Sequence, residues 1–115
     1  MASGSSVLAW VVSALYSVCG LAFALIGGWL WAGKVQPNRV TGFRTAKTLA
    51  DPEVWYRVNT AGGSYLFWLG IIILVVTWGL HLTVTKDRPA LAALSLTGLT
   101  VVGTLLIAFL GARLQ

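Results

Sequence analysis

The sequence predicts an all-α membrane protein with three transmembrane helices and a short interfacial helix in the loop between helices 1 and 2. Of its 115 residues, 57% are hydrophobic and only 10% are charged, whereas soluble domains carry about 25% charged residues. The apolar residues form three long runs, and all eight Lys and Arg residues lie outside them. These observations exclude a soluble globular domain, a disordered chain and a disulfide scaffold. We expect one membrane domain over residues 1–115.

The first apolar run is Val7–Trp31, which contains no charged residue. About 20 helical residues cross the hydrocarbon core of a bilayer, so this run spans it with some tilt. Trp10 lies near one end and Trp29 and Trp31 lie at the other, as is typical of interfacial aromatic residues. A signal peptide is the alternative, but it requires a basic N-terminal region and a shorter apolar core. Residues 1–6 have no charged side chain, and we therefore expect an uncleaved span.

The second run is Ser64–Val84 and the third is Leu91–Leu110, with only the segment TKDRPA between them. This short connection predicts a helical hairpin. Asp87 and Pro89 suit a tight turn followed by a new helix. All three runs are expected to be helices, because a helix satisfies its own backbone hydrogen bonds in lipid.

The distribution of basic residues predicts the orientation in the membrane. The first loop, residues 32–63, carries five of them and the C-terminal tail on the same side carries Arg113, whereas the hairpin turn carries Lys86 and Arg88. Positive residues concentrate on the cytoplasmic side. We expect a multi-pass protein of a bacterial inner membrane, with loop 1 and the C-terminus in the cytoplasm and the N-terminus outside.

Small and hydroxyl residues recur at helical spacing in each span, and such rows are typical of helix contacts in membranes. The rows are Ser13, Ser17, Gly20, Ala24 and Gly28 in helix 1, Gly63, Gly70, Thr77 and His81 in helix 2, and Ala93, Thr97, Thr100, Thr104, Ala108 and Gly111 in helix 3. They fit a three-helix bundle within one chain, and they equally fit contacts within a homo-oligomer.

The first loop also predicts a short helix over residues 52–61. Asp51 is a favourable N-cap, Pro52 suits the first helical position and Glu53 suits the positive end of the helix dipole. We expect this helix to lie in the interface with Trp55 and Tyr56 toward the headgroups. Gly62 and Gly63 would then let the chain turn into helix 2.

The loop string PNRVTGFRTAKTLADPEVWYRVNTAGG resembles the signature of the SdpI-like family of small bacterial membrane proteins, and the resemblance extends over about Val7 to Leu110. One difference is Ala46, which stands where the pattern more often has Pro. The residues that carry the resemblance are Asn38, Gly42, Phe43, Arg44, Thr45, Thr48, Leu49, Trp55, Asn59 and Gly63.

The resemblance implies a receptor-type or immunity-type protein. The founding member of the family protects a bacterium from its own secreted toxic peptide and is also a membrane signal receptor that holds a transcriptional repressor, whereas most relatives have no assigned activity. The founding member is longer and has extra spans before the shared part. The partners implied for this chain are membrane lipids, an antimicrobial peptide or a soluble regulator.

The loop residues also suggest a site for a lipid phosphate or an acidic partner. Arginine pairs with phosphate through two parallel hydrogen bonds, and hydroxyl groups can complete such a site. Two alternatives remain open. The loop is a generic positive-inside segment, or Arg44 caps helix carbonyls or pairs with Asp51 or Glu53. The proposed site residues are Asn38, Arg39, Gly42, Phe43, Arg44, Thr45, Lys47, Thr48, Trp55 and Asn59.

No residue pattern indicates catalysis, and we expect neither enzymatic activity nor a cofactor or metal. The sequence has no phosphate-binding loop, dinucleotide motif, zinc motif or nucleophile–base pair. The single Cys19 is most simply a packing residue. An ionisable residue within a membrane span is a functional candidate. His81 has no evident carboxylate partner, and Thr77 or a carbonyl would satisfy it. The positive charge is explained by anionic lipid rather than by nucleic acid.

Three functions remain after these exclusions. The first is a receptor-type or immunity-type protein that binds a peptide, an amphiphile or a lipid and contacts a soluble partner through loop 1. The second is a non-catalytic accessory subunit or lipid-binding scaffold of a larger membrane complex. The third, a small oligomeric transporter, is the weakest, because no span has a charged residue or a Pro break at its midplane.

Overall fold

The computed structural model describes residues 4–38, 42 and 44–115, and every regular element among them is helical. Three stretches are long and apolar enough to cross a membrane, which confirms the predicted all-α class with three spans. The elements in chain order are α1 (Gly4–Trp31), α2 (Ala46–Ala50), α3 (Pro52–Leu80), a π-helical turn (His81–Thr85) and α4 (Pro89–Arg113).

The helix α3 is continuous from the loop through the membrane, so the structure does not confirm a separate interfacial helix over residues 52–61. Its start is as expected, because Asp51 accepts a hydrogen bond from the Glu53 amide (3.0 Å) and Pro52 occupies the first turn. The chain does not turn at Gly62 and Gly63. Both glycines are buried, and α1 packs directly against Gly63, where a side chain would have no room.

Facing glycines set the contact between α1 and α3, which is the most extensive in the molecule. A Cβ atom on Gly27 would lie 2.4 Å from the Phe67 amide nitrogen, and one on Gly70 would lie 2.5 Å from that of Ala24. The predicted rows on helices 1 and 2 therefore do form a contact. The contact uses Gly27 for close approach, whereas a Cβ on the predicted Gly28 would have a nearest neighbour at 3.7 Å.

The helix α4 packs mainly on α3 and touches α1 little. The predicted row on this helix makes few contacts within the chain, because all its members except Gly111 are exposed or partly exposed. Thr97 nevertheless meets the Tyr16 hydroxyl of α1, and contacts of the row within a homo-oligomer stay a prediction. The buried face is displaced by about one residue and consists of Pro89, Ala92, Leu96, Ile107 and Gly111. The hydroxyls of Thr100 and Thr104 donate to carbonyls of their own helix. They can therefore face lipid without losing a hydrogen bond.

The molecule is 58 Å long, which is longer than the hydrocarbon core of a bilayer. The helical stretch Pro52–Thr85 has 34 residues, about 51 Å at the α-helical rise, compared with about 30 Å for the core. On α3, the close contacts with α1 begin at Gly63, which packs against Trp31 at the end of α1. The stretch is therefore long enough for the first three turns of α3, around which the loop packs, to lie outside the hydrocarbon core.

Candidate functional site

The loop between α1 and α3 folds onto the projecting end of α3. Its described residues, 34–38, 42 and 44–59, are called the loop platform below. The loop begins at Gly33, whose φ of 71° ends α1 in the left-handed conformation that glycine favours. The Lys34 amide then donates to the carbonyl of Trp29 (3.1 Å) and closes the end of the helix.

Trp55 lies at the centre of the loop platform. Its side chain is fully buried, and its Nε1–H donates to the carbonyl of Val35 (2.9 Å). The expectation that Trp55 points toward the headgroups is wrong. The loop covers this indole, so the residue joins the start of the loop to the first turns of α3.

Asn59 and Gly42 meet one helical turn further along α3. Asn59 is buried, and its Nδ2 donates to the carbonyl of Trp55 (3.0 Å). Gly42 has a φ of 108°, and a Cβ atom there would lie 2.6 Å from Asn59 Oδ1. Position 42 therefore requires glycine both for its backbone conformation and for its contact with the amide.

Thr45 and Thr48 form a reciprocal cap at the start of α2. The Thr48 amide donates to Thr45 Oγ1 (3.2 Å), and the Thr45 amide donates to Thr48 Oγ1 (2.7 Å). Thr48 is also fully buried. These two predicted site residues therefore stabilise the loop fold, because they satisfy amides that an isolated short helix leaves unpaired.

The basic side chains of the loop platform face outward. Arg44 and Lys47 are exposed, and Arg44 Nε donates to the carbonyl of Gly42 (3.3 Å). Asn38 Nδ2 donates to the carbonyl of Gln36 (2.7 Å). The predicted site residues Arg39 and Phe43 lie outside the described residues. The predicted set therefore divides into an inner group that holds the loop and an outer group at the surface of the loop.

The end of α4 closes over the loop platform, a contact that the sequence did not predict. Thr45 Oγ1 donates to Gln115 Oε1 (2.7 Å), and Arg57 Nε donates to the carbonyl of Leu114 (3.0 Å). The only sequence signal for it is the three-span topology, which brings the loop and the end of α4 to the same side of the membrane.

A second feature that sequence reasoning missed is an open apolar groove of about 620 Å³ between α3 and α4. This α3–α4 groove is lined by Tyr65, Trp68, Leu69 and Ile72 of α3 and by residues of α4 between Gly98 and Leu110. Glycine deepens it, since a Cβ on Gly98 would meet nothing within 4 Å. A smaller cleft of about 210 Å³ lies beneath Gly42, between Leu30 and Thr104.

A polar cluster lies at the opposite end of the bundle. His81 is only 3% exposed, and its Nδ1 lies 2.7 Å from Ser13 Oγ. The rings of Trp10 and Trp78 have centroids 4.5 and 5.2 Å from that of the imidazole. Thr77, one of the partners expected for His81, instead donates to the carbonyl of Ile73 (2.6 Å). The partner of Nδ1 is therefore a hydroxyl on the neighbouring helix α1.

The described residues contain no group of three or more His, Cys, Asp or Glu side chains that could hold a metal ion. The exposed guanidinium and ammonium groups of the loop platform offer charge pairing and hydrogen bonding. The α3–α4 groove offers apolar packing.

A protein-family model described as the SdpI/YfhL protein family matches residues 34–112 of this chain. The matched range contains the loop platform, α3 and nearly all of α4, and it begins after α1, whereas the resemblance was expected to begin at Val7. No curated protein and no solved structure matches the chain significantly.

Proposed function

The chain belongs to the SdpI/YfhL protein family, and from this premise we propose that it is a receptor-type or immunity-type membrane protein. In this proposal it binds a peptide, an amphiphile or a lipid at the membrane and presents the loop platform to its ligand or partner. It acts without catalysis, by signalling or by protecting the membrane.

The observation that carries the proposal is the fold of the loop platform. Its conformation is fixed from within by Trp55, Asn59 and the threonine cap. Its outer surface carries basic side chains, which are exposed and outnumber the exposed acids Asp51 and Glu53. A fixed cationic surface next to the headgroups suits an anionic group at the membrane surface. The exposed basic residues are Lys34, Arg44, Lys47 and Arg57.

Native mass spectrometry of the protein gently extracted from its own membrane tests this proposal. We compare the wild type with Arg44→Ala and with Lys47→Ala, because Lys47 has an exposed side chain at the surface of α2. Arg88→Ala is the matched control, since it removes one exposed positive charge at the opposite end of the molecule.

We expect the wild type and Arg88→Ala to retain a discrete lipid, peptide or protein, and both loop variants to lose at least part of it. Identical spectra for all four proteins would contradict the proposal and would make the loop platform purely architectural. Loss in Arg44→Ala alone would also count against a ligand surface, because Arg44 contacts the loop backbone through Gly42.

A second candidate function is an accessory subunit of a larger membrane complex, and the exposed row on α4 favours it. Only 11% of the most apolar stretch of α4 is buried, compared with 28% in each of the other two spans. Small and hydroxyl residues at helical spacing on that exposed face suit another membrane helix. Extraction of the wild type together with a fixed set of membrane proteins, unchanged in the loop variants, would support this alternative.

A further inference from the structure

We propose that the α3–α4 groove binds one acyl chain of an anionic phospholipid from the leaflet at the loop end, with the lipid phosphate beside Arg57 and Arg113. This inference deepens the proposed function, on which it rests for the premise that the chain is a non-catalytic ligand-binding membrane protein. It names the ligand class and a binding site that shares only Arg57 with the basic outer surface of the loop platform.

The lining of the groove suits a hydrocarbon chain. Its surface is almost entirely apolar, and its polar atoms are few. Gly98 leaves a notch in α4 against which a chain can pack, whereas the side chain of Leu69 fills the space beside Gly103. Lipid tails and apolar side chains are alike in hydrophobicity, so selective binding in a membrane depends on shape and on polar contacts. A notch between two helices provides the shape.

The length of the groove matches the thickness of one leaflet of the bilayer. From Gly98 to Leu110 it extends over 12 residues of α4, about 18 Å at the α-helical rise. Half of the hydrocarbon core is about 15 Å thick. On α3 the groove extends only from Ile72 to Tyr65, toward the loop end. A transmembrane peptide helix would need a groove of about 30 Å, so the dimensions favour one acyl chain.

Charge at the open end of the groove selects the headgroup. Arg113 is exposed and lies one turn beyond Leu110 on α4, with its guanidinium 5.9 Å from the Phe109 ring centroid. Arg57 lies two turns before Tyr65 on α3, and its donation to Leu114 directs it toward the end of α4. Guanidinium groups have five N–H donors, so Arg57 keeps donors for a phosphate.

The nearest acidic side chain along α3 is Glu53, which is exposed four residues before Arg57. The two arginines therefore leave a net positive end to the groove. Each Lys or Arg near a membrane surface favours an anionic lipid by a factor of roughly five. An anionic headgroup is consequently preferred over a zwitterionic one.

Two glycine variants test occupancy of the groove. Gly98→Leu places a side chain in the groove at the end farthest from the loop. Gly79→Leu adds the same side chain at an exposed position outside the groove. A Cβ atom at either position would meet nothing within 4 Å, so neither change disturbs packing within the chain. Purified, delipidated protein in detergent is titrated with dioleoyl phosphatidylglycerol, and bound lipid is counted by native mass spectrometry.

At collision energies that remove all other bound lipids, we expect one phosphatidylglycerol molecule to remain on the wild type and on Gly79→Leu. We expect Gly98→Leu to lose this molecule as well. Equal retention by the two variants would overturn the proposal, because the bound molecules would then be annular lipid only. Circular dichroism confirms that both variants keep their helix content.

A second pair of variants tests the headgroup. Titration with dioleoyl phosphatidylcholine, which has the same chains, gives the preference for the anionic lipid. Arg113→Gln is expected to lower that preference about fivefold, and the control Arg88→Gln is expected to leave it unchanged. Equal binding of the two lipids by the wild type would refute the anionic headgroup.

Inorganic phosphate separates a lipid site from a free-anion site. We expect millimolar phosphate to leave the retained lipid in place, because the acyl chain contributes to binding. Displacement by phosphate alone would overturn the proposal. Loss of ligand in Arg44→Ala and Lys47→Ala with no effect of Gly98→Leu would reject the groove and keep the proposed function. Loss of lipid in Gly98→Leu, with no effect of Arg44→Ala or Lys47→Ala, would support the groove and reject a ligand-binding role of the loop platform.

Discussion

Single glycines determine how closely the two central helices of this protein approach. A Cβ atom on Gly63 would lie 2.5 Å from the Trp31 amide nitrogen and 2.6 Å from Leu30 Cβ. Gly42 has the same effect in the loop, where a side chain would collide with Asn59. Lipid provides no hydrophobic force between helices, so this backbone contact is a main source of stability.

We predict that Gly63→Ala lowers the free energy of unfolding by about 1–3 kcal/mol, the usual cost of inserting atoms into a packed contact. The backbone of α1 must move to accommodate the new methyl group. Thermal unfolding in detergent, followed by circular dichroism, measures the change.

Gly79→Ala is the control for this substitution, because its position is open. Alanine is the better helix former by up to about 1 kcal/mol, so this variant should be as stable as the wild type or slightly more stable. Equal stability of the Gly63 and Gly79 variants would show that the close approach contributes little.

At the scale of the elements, the continuity of α3 has the largest consequence. The chain passes Gly62 and Gly63 without a bend, so the first turns of α3 continue the direction of the span and support the loop. An interfacial helix would instead lie flat and leave Trp55 near the headgroups. The hydrogen bond from the buried Trp55 indole to the Val35 carbonyl depends on the upright arrangement.

Spin labels at Glu53→Cys and Val75→Cys, in a Cys19→Ala background, test the continuity of α3. A straight helix separates these positions by 22 residues, about 33 Å, whereas a right-angled bend near residue 62 would give about 24 Å. We expect the longer distance. The control pair Leu8→Cys and Leu25→Cys within α1 should give about 26 Å.

At the scale of the whole molecule, charge and shape are asymmetric along the long axis. The end with the loop platform carries most of the exposed basic residues, whereas the hairpin end carries Lys86 and Arg88. The α3–α4 groove extends toward the loop end. Both the surface and the groove therefore favour a ligand from the leaflet on that side.

Membrane orientation follows from the same asymmetry. We predict that the loop platform lies in the cytoplasm of a bacterial cell, because positive residues are retained there. In a Cys19→Ala background, a membrane-impermeant maleimide should label Lys86→Cys on intact cells. It should label Lys47→Cys only after permeabilisation. Labelling of Lys47→Cys on intact cells would reverse the assigned orientation.

Much of the fold follows from local composition. The three spans, the start of α3 at Asp51 and Pro52, and the small-residue rows of the first two spans are visible in the sequence, because hydropathy and capping depend on neighbouring residues. The family membership is also visible in the loop string. The contacts within the loop were not predicted, since the sequence shows that Trp55 and Asn59 belong to a motif but not which backbone groups they meet.

The sequence by itself therefore determined that the chain is a three-span helical membrane protein of one family with a basic loop. Tertiary structure alone decided that α3 is continuous, that the small-residue row of α4 faces outward, that His81 pairs with Ser13, and that a groove opens between α3 and α4. The reason is physical. Membrane insertion is a sum over local side chains, whereas each packing decision depends on a backbone distant in sequence, whose position is fixed only when the helices meet.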